Sequence, residues 1–117
     1  MQKEEYNKAL LNYDKAIALY KANKNYDDMY TVYLTKSGVY KTTNETDKQI
    51  ALIFEALKFY EKDKKTYVHS LYYAYTTLAY AYRYQNEYEK AIQYSEKAIE
   101  SCDLSYKEYP SNHTLNW

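Results

Sequence analysis

Apolar residues recur three and four positions apart along most of the chain, the pattern of helices that each bury one stripe. Tyr6, Ala9, Leu10, Tyr13, Ala16, Ile17 and Tyr20 mark the first helix, from Glu4 to about Ala22. Asn23–Asn25 breaks it, and Asp27 and Asp28 suit the positive first turn of a second helix. That helix runs to about Lys41 with Tyr30, Tyr33 and Tyr40 in phase. A break at Thr42–Thr46, with Asn44 as its turn residue, leads into a third helix striped by Ile50, Ile53, Ala56, Leu57 and Tyr60. Lys62, Lys64 and Lys65 suit its negative end. A fourth helix is predicted from roughly Tyr67 to Tyr84, and a fifth from roughly Glu87 to Tyr106, closed by Pro110 and Asn112. The run Leu78–Tyr84 alternates with period two and is rich in tyrosine, a good strand former. Ala74, Ala79 and Ala81 favour helix there, and a turn-free stretch of this length is too long for an average strand. It is therefore assigned to a helix.

The chain also repeats itself. At the spacing that carries Tyr30 to Tyr72, Tyr33 also meets Tyr75, Tyr40 meets Tyr82 and Asn44 meets Asn86. Ile50 with Ile92, Ala56 with Ala98, Leu57 with Ile99 and Ser37 with Ala79 continue the series, and Tyr75 lands on Trp117. A slightly shorter shift pairs Ala16 with Ala56 and Ile17 with Leu57. Self-similarity at such a period marks stacked helical hairpins, none of which can bury its apolar face alone.

At these residues the sequence resembles the tetratricopeptide repeat family. Tyr75, Leu78, Ala79 and Tyr82 are similar to the signature of that family's first helix. Tyr88, Ala91, Tyr94, Ala98 and Ile99 are similar to that of its second, as are Tyr6, Ala9, Tyr13 and Ala16. The middle repeat departs from the pattern with Lys36 where the leucine belongs and Gln49 where the first alanine belongs, so its hairpin is expected to be looser. The resemblance implies an all-α, right-handed superhelical array of antiparallel hairpins, about two and a half repeats long. The single domain 1–117 would divide into a second helix of one repeat (2–24), two repeats (26–65 and 67–108) and the start of a further repeat or a tail (109–117). The lengthened unit resembles repeats of peptide-responsive bacterial regulators and cargo-binding adaptors. It implies a regulatory or sensor protein, with this chain a fragment of something larger.

Composition narrows the function. Of 117 residues, 19 are tyrosine and only Gly38 and Pro110 represent the two main turn formers. An all-β fold needs turn signals far more often, and Gly-rich phosphate loops need more glycine. Sixteen basic residues balance sixteen acidic ones, the wrong footprint for nucleic acid or an anionic membrane. Tyrosines can stack on bases, but the tyrosine-dense residues 66–117 hold more acids than bases, which disfavours RNA. Cys102 is the lone cysteine, so no internal disulfide forms. Met1 leads into charged residues and no long apolar run follows, so neither a signal peptide nor a membrane span is expected, and the cytoplasm is. His69 and His113 lack partners at metal-ligand spacing, and Glu87, Glu89, Glu96 and Glu100 lie among lysines as a solvated face. No enzyme signature and no cofactor site are read from the chain.

The tyrosines carry the functional reading. At about 100° per residue, Tyr72, Tyr75, Leu78, Ala79 and Tyr82 form the packing face of the fourth helix. Tyr73, Thr77, Tyr80 and Tyr84 lie opposite, with Arg83 alongside. The second helix offers Thr31, Leu34, Gly38 and Lys41, with small Thr35 and Thr42 beside them. In the family the first helices line a concave groove, which implies a peptide- or protein-binding surface made of these nine leading residues. The cationic clamp that some members use for chaperone tails is missing, because Leu34, Gly38, Thr76 and Tyr80 stand at its positions. A purely structural or oligomerisation segment is the alternative, and a helical-repeat RNA binder a weaker one. The repeat ends, including the tail from Tyr109 to Trp117, are expected to self-associate, since uncapped repeats expose apolar surface.

Overall fold

A computed structural model of the chain describes residues 3–62 and 67–108, with side chains as far as Cys102. The described residues form α1 (Lys3–Ala22), α2 (Tyr26–Thr42), α3 (Thr46–Tyr60), α4 (Val68–Tyr84) and α5 (Tyr88–Glu108). No strand occurs among them, so the period-two run Leu78–Tyr84 is helical. Lys64, Lys65, Pro110, Asn112, His113 and the tail Tyr109–Trp117 lie outside the described residues.

Three connections share one backbone solution. Lys24, Asn44 and Asn86 take left-handed φ of 58°, 60° and 63°. The following amides, of Asn25, Glu45 and Glu87, donate back to the carbonyls of Tyr20, Tyr40 and Tyr82 at 2.8, 2.8 and 2.9 Å. The left-handed residue itself donates to Lys21, Lys41 and Arg83 respectively. This paired pattern satisfies the last carbonyls of a helix and turns the chain within three residues. Asparagine tolerates the left-handed conformation best after glycine, which explains why a chain with one glycine can still reverse sharply. The residue that receives the turn then opens the next helix. Asn25 accepts from the Asp28 amide at 3.4 Å, a side-chain cap of α2.

The chain divides into two compact units, Met1–Ala56 and Leu57–Trp117. In the first, α1 packs against α2. Met29, Tyr33, Leu52, Ile53 and Ala56 are buried, while α1 contributes only half-buried side chains. The departures from the repeat pattern turn out to have partners. The Lys36 ammonium reaches the Asp14 carboxylate of α1 at 2.6 Å, with the lysine side chain only 13% exposed. Its stem is buried along the helix while its charge finds a counter-ion. Gln49 donates from Nε2 to the Ser37 hydroxyl at 3.1 Å, both residues being buried. One repeat later these two positions are Ala79 and Ala91. A polar pair in one hairpin therefore stands where an alanine pair stands in the next.

This pairing has a measurable signature. Ser37→Ala alone removes a hydroxyl and leaves a buried amide without that acceptor, at an expected cost of about 1–3 kcal/mol. The double variant Ser37→Ala, Gln49→Ala should recover much of the loss, because neither polar group remains. Urea midpoints of the wild type, Ser37→Ala, Gln49→Ala and the double variant would give the coupling energy, and additive single effects would contradict a working bond.

In the second unit, Leu57, Tyr60, Val68, Leu71, Leu78 and Ala74 form the buried centre. Ala81, Ala91 and Ala98 are also buried, and such small residues let helix axes come close where α4 packs on α5. Tyr94 of α5 lies against two rings of α4. Its ring stacks on Tyr82 (5.6 Å between centroids, 15°) and on Tyr75 (6.3 Å, 26°). Lys90 sits 5.2 Å from the Tyr82 ring centre and Lys97 5.6 Å from that of Tyr75, adding cation–π attraction along the seam. The Tyr75 hydroxyl donates to Glu61.

Candidate tyrosine surface

The stack on Tyr94 fixes the rotation of α4, since Tyr75, Leu78 and Tyr82 are committed to the interior. The helical period then forces Tyr73, Tyr80 and Tyr84 outward. They are 54%, 62% and 67% exposed. Tyr72 meets Tyr73 edge to face at 5.4 Å, which braces the first of these rings. Arg83 is exposed, and its guanidinium carbon lies 5.6 Å from the Tyr80 ring centre. Thr77 is half-buried between them, with its hydroxyl donated to the Tyr73 carbonyl at 2.8 Å. Tyr73, Thr77, Tyr80, Arg83 and Tyr84 are thus brought together along one side of α4.

Thr31, Leu34, Gly38 and Lys41 line up on α2 in the other unit, all exposed. Thr31, Thr35 and Thr42 donate to the carbonyls of Asp27, Thr31 and Gly38 at 3.3, 3.0 and 3.0 Å. Their hydroxyls are therefore turned back onto the helix, and methyl groups are left as the contact surface. A Cβ added at Gly38 would meet nothing within 4 Å. Packing thus gives no reason for this glycine, which costs about 1 kcal/mol relative to alanine inside a helix.

One further residue joins the tyrosine face, and another exposed ring lies apart from it at the start of α5. His69 is exposed four positions before Tyr73, and the four-residue spacing was the signal available for it. Tyr88 begins α5, is 59% exposed, and donates its hydroxyl to Asn86 at 2.9 Å. The family resemblance assigns Tyr88 to packing, and that assignment hid it. Among the described residues, no cluster of His, Cys, Asp and Glu could hold a metal ion, and no helix is long and apolar enough to cross a membrane.

Compared with known proteins, the chain matches no family model, no curated protein and no solved structure.

Proposed function

We propose that the chain is a non-catalytic module that binds a peptide or a protein segment through the tyrosine face of α4. The observation that carries this reading is the outward row Tyr73, Tyr80 and Tyr84, each more than half exposed, on a helix whose opposite face is fully engaged. Three large aromatics in one row are costly to leave in water, and contiguous exposed apolar surface marks interaction sites. Tyrosine supplies contact area with few rotors and a hydroxyl handle. Arg83 beside Tyr80 offers paired donors for a carboxylate of the ligand. The wider setting belongs to the same proposal: a tetratricopeptide-like superhelix, a groove that includes Thr31, Leu34, Gly38 and Lys41, and a regulatory or sensor protein of the bacterial cytoplasm.

The test begins with selection of binders from a random peptide display library on the wild-type protein. Tyr73→Ala and Tyr80→Ala should each weaken the selected peptides by more than about 1 kcal/mol in calorimetric titration, with thermal midpoints nearly unchanged. Peptides that bind both variants as well as the wild type would refute the assignment of this face.

A further inference from the structure

Lys24 stands where the other two left-handed turns place asparagine, Asn44 and Asn86, and it takes the same backbone with φ of 58°. Asparagine enters that region more readily than most residues, because its short side chain can bond the local backbone. Lysine has no such side chain. It is also among the better helix formers, and asparagine among the poorer. The connection between α1 and α2 is therefore strained when closed and suited to helix when open. No Gly or Pro lies between Ala22 and Tyr26, so nothing in Asn23–Asn25 stops one continuous helix. Straightening gives up the Asn25 cap of α2, but the first amides of α2 then find carbonyls one turn back.

The helix on the far side of this hinge is held lightly. No described residue of α1 is buried, whereas α2, α3, α4 and α5 each bury several. Half-buried side chains and the Asp14–Lys36 ion pair join α1 to α2. With its side chain only 13% exposed, Lys36 still needs a carboxylate when α1 leaves, since a half-buried charge without a partner is costly. The α1 of a second copy is identical in sequence, so it brings Asp14 and the same stripe in the same register.

We infer that the protein forms a domain-swapped dimer, in which α1 and α2 of each chain straighten at Lys24 and the α1 of each copy docks on the α2 of the other. The exchange keeps the α1–α2 contacts of the hairpin, with Asp14 of one copy on Lys36 of the next. It releases two strained turns and costs the freedom lost when two chains associate, so concentration decides the balance. Exchange of an identical element closes on itself with two-fold symmetry and ends at the dimer. This inference uses neither Tyr73 nor Tyr80 and stands apart from the binding role proposed above.

Sedimentation velocity of the full chain over a concentration series tests it, with circular dichroism confirming helix content in each variant. The wild type should pass from monomer to dimer and stop there. Lys24→Gly relieves the closed turn and weakens the opened helix, so it should lower the association constant by about tenfold or more, each dimer containing two hinges. Asp14→Lys and Lys36→Asp each set like charges between α1 and α2, and each alone should dimerise less than the wild type. Mixed in equal amounts they should dimerise more than either, because each α1 then meets an α2 of opposite charge in the other copy. By the register of the Asp14–Lys36 pair, Lys8 and Thr42 face each other in the hairpin, and one straight helix would part them by about 50 Å. Energy transfer between probes on Lys8→Cys and Thr42→Cys, in a Cys102→Ser background diluted with unlabelled chains, should therefore fall as the dimer forms. A wild type that stays monomeric overturns the inference. So does a dimer that Lys24→Gly leaves as tight, a mixture no more dimeric than its components, or a dimer with unchanged transfer.

Discussion

Raising the pH from 10 to 12 should unfold the protein cooperatively, with loss of helical ellipticity accompanied by a late rise in phenolate absorbance. Burial, helped by the nearby carboxylates of Glu55 and Asp14, pushes the Tyr33 phenol up from 10.0 to about 12. Burial also raises Tyr75, which is further held protonated by its bond to Glu61 and by that carboxylate's charge. Tyr82 and Tyr94 shift upward as well, chiefly through burial. Each of these groups binds its proton more tightly when folded than when unfolded. Their stabilising contribution is therefore complete below about pH 10 and disappears as pH climbs through the folded value. For Tyr33, only 2% exposed, a shift of this size corresponds to roughly 2–3 kcal/mol. Tyr33→Phe has no proton to lose, so its alkaline midpoint should lie higher than that of the wild type. An unchanged midpoint would remove Tyr33 from the account.

Leu78→Ala should cost about 2–5 kcal/mol, a large part of the whole stability of a small domain. Leu78 is 0% exposed at the centre of the Leu57–Trp117 unit. Truncation removes apolar contact and leaves a cavity that the neighbouring rings, stacked on Tyr94, cannot readily fill. Tyr80→Ala, two residues along the same helix, should cost less than about 1 kcal/mol, since it forfeits only an exposed contact with Arg83. Urea midpoints of the two variants measure the contrast directly. Equal losses would mean that the assignment of faces on α4 is wrong.

Periodicity sufficed to place all five helices, because spacing of apolar residues and turn chemistry at Asn44 and Asn86 are local properties. It also separated Tyr75, Leu78 and Tyr82 from Tyr73, Tyr80 and Tyr84, since one helix can bury only one side. It failed where burial depends on what lies opposite. Ile92 and Ile99 fit an inward stripe by type and spacing, yet face outward, because α4 takes the Ala91 and Ala98 side of α5. Lys36 and Gln49 looked like defects for a related reason. Their partners, Asp14 and Ser37, are remote in sequence, and no local pattern pairs them. Tyr88 was passed over because the family resemblance had already given it a packing role, and His69 because it was weighed only as a metal ligand.

The Gln49–Ser37 bond bears on how the chain avoids mispairing its own helices. Repeats with matching tyrosines and alanines invite a helix of one hairpin to pair with the wrong partner while the protein folds, a characteristic hazard of repeat architectures. If α4 took the place of α2 against α3, the Gln49 amide would face Ala79 and lose its acceptor, at about 1–3 kcal/mol. If α5 took the place of α3 against α2, the Ser37 hydroxyl would face Ala91 in the same unsatisfied way. One polar pair thus works as a mating key, leaving each of these two exchanges with an unanswered polar group.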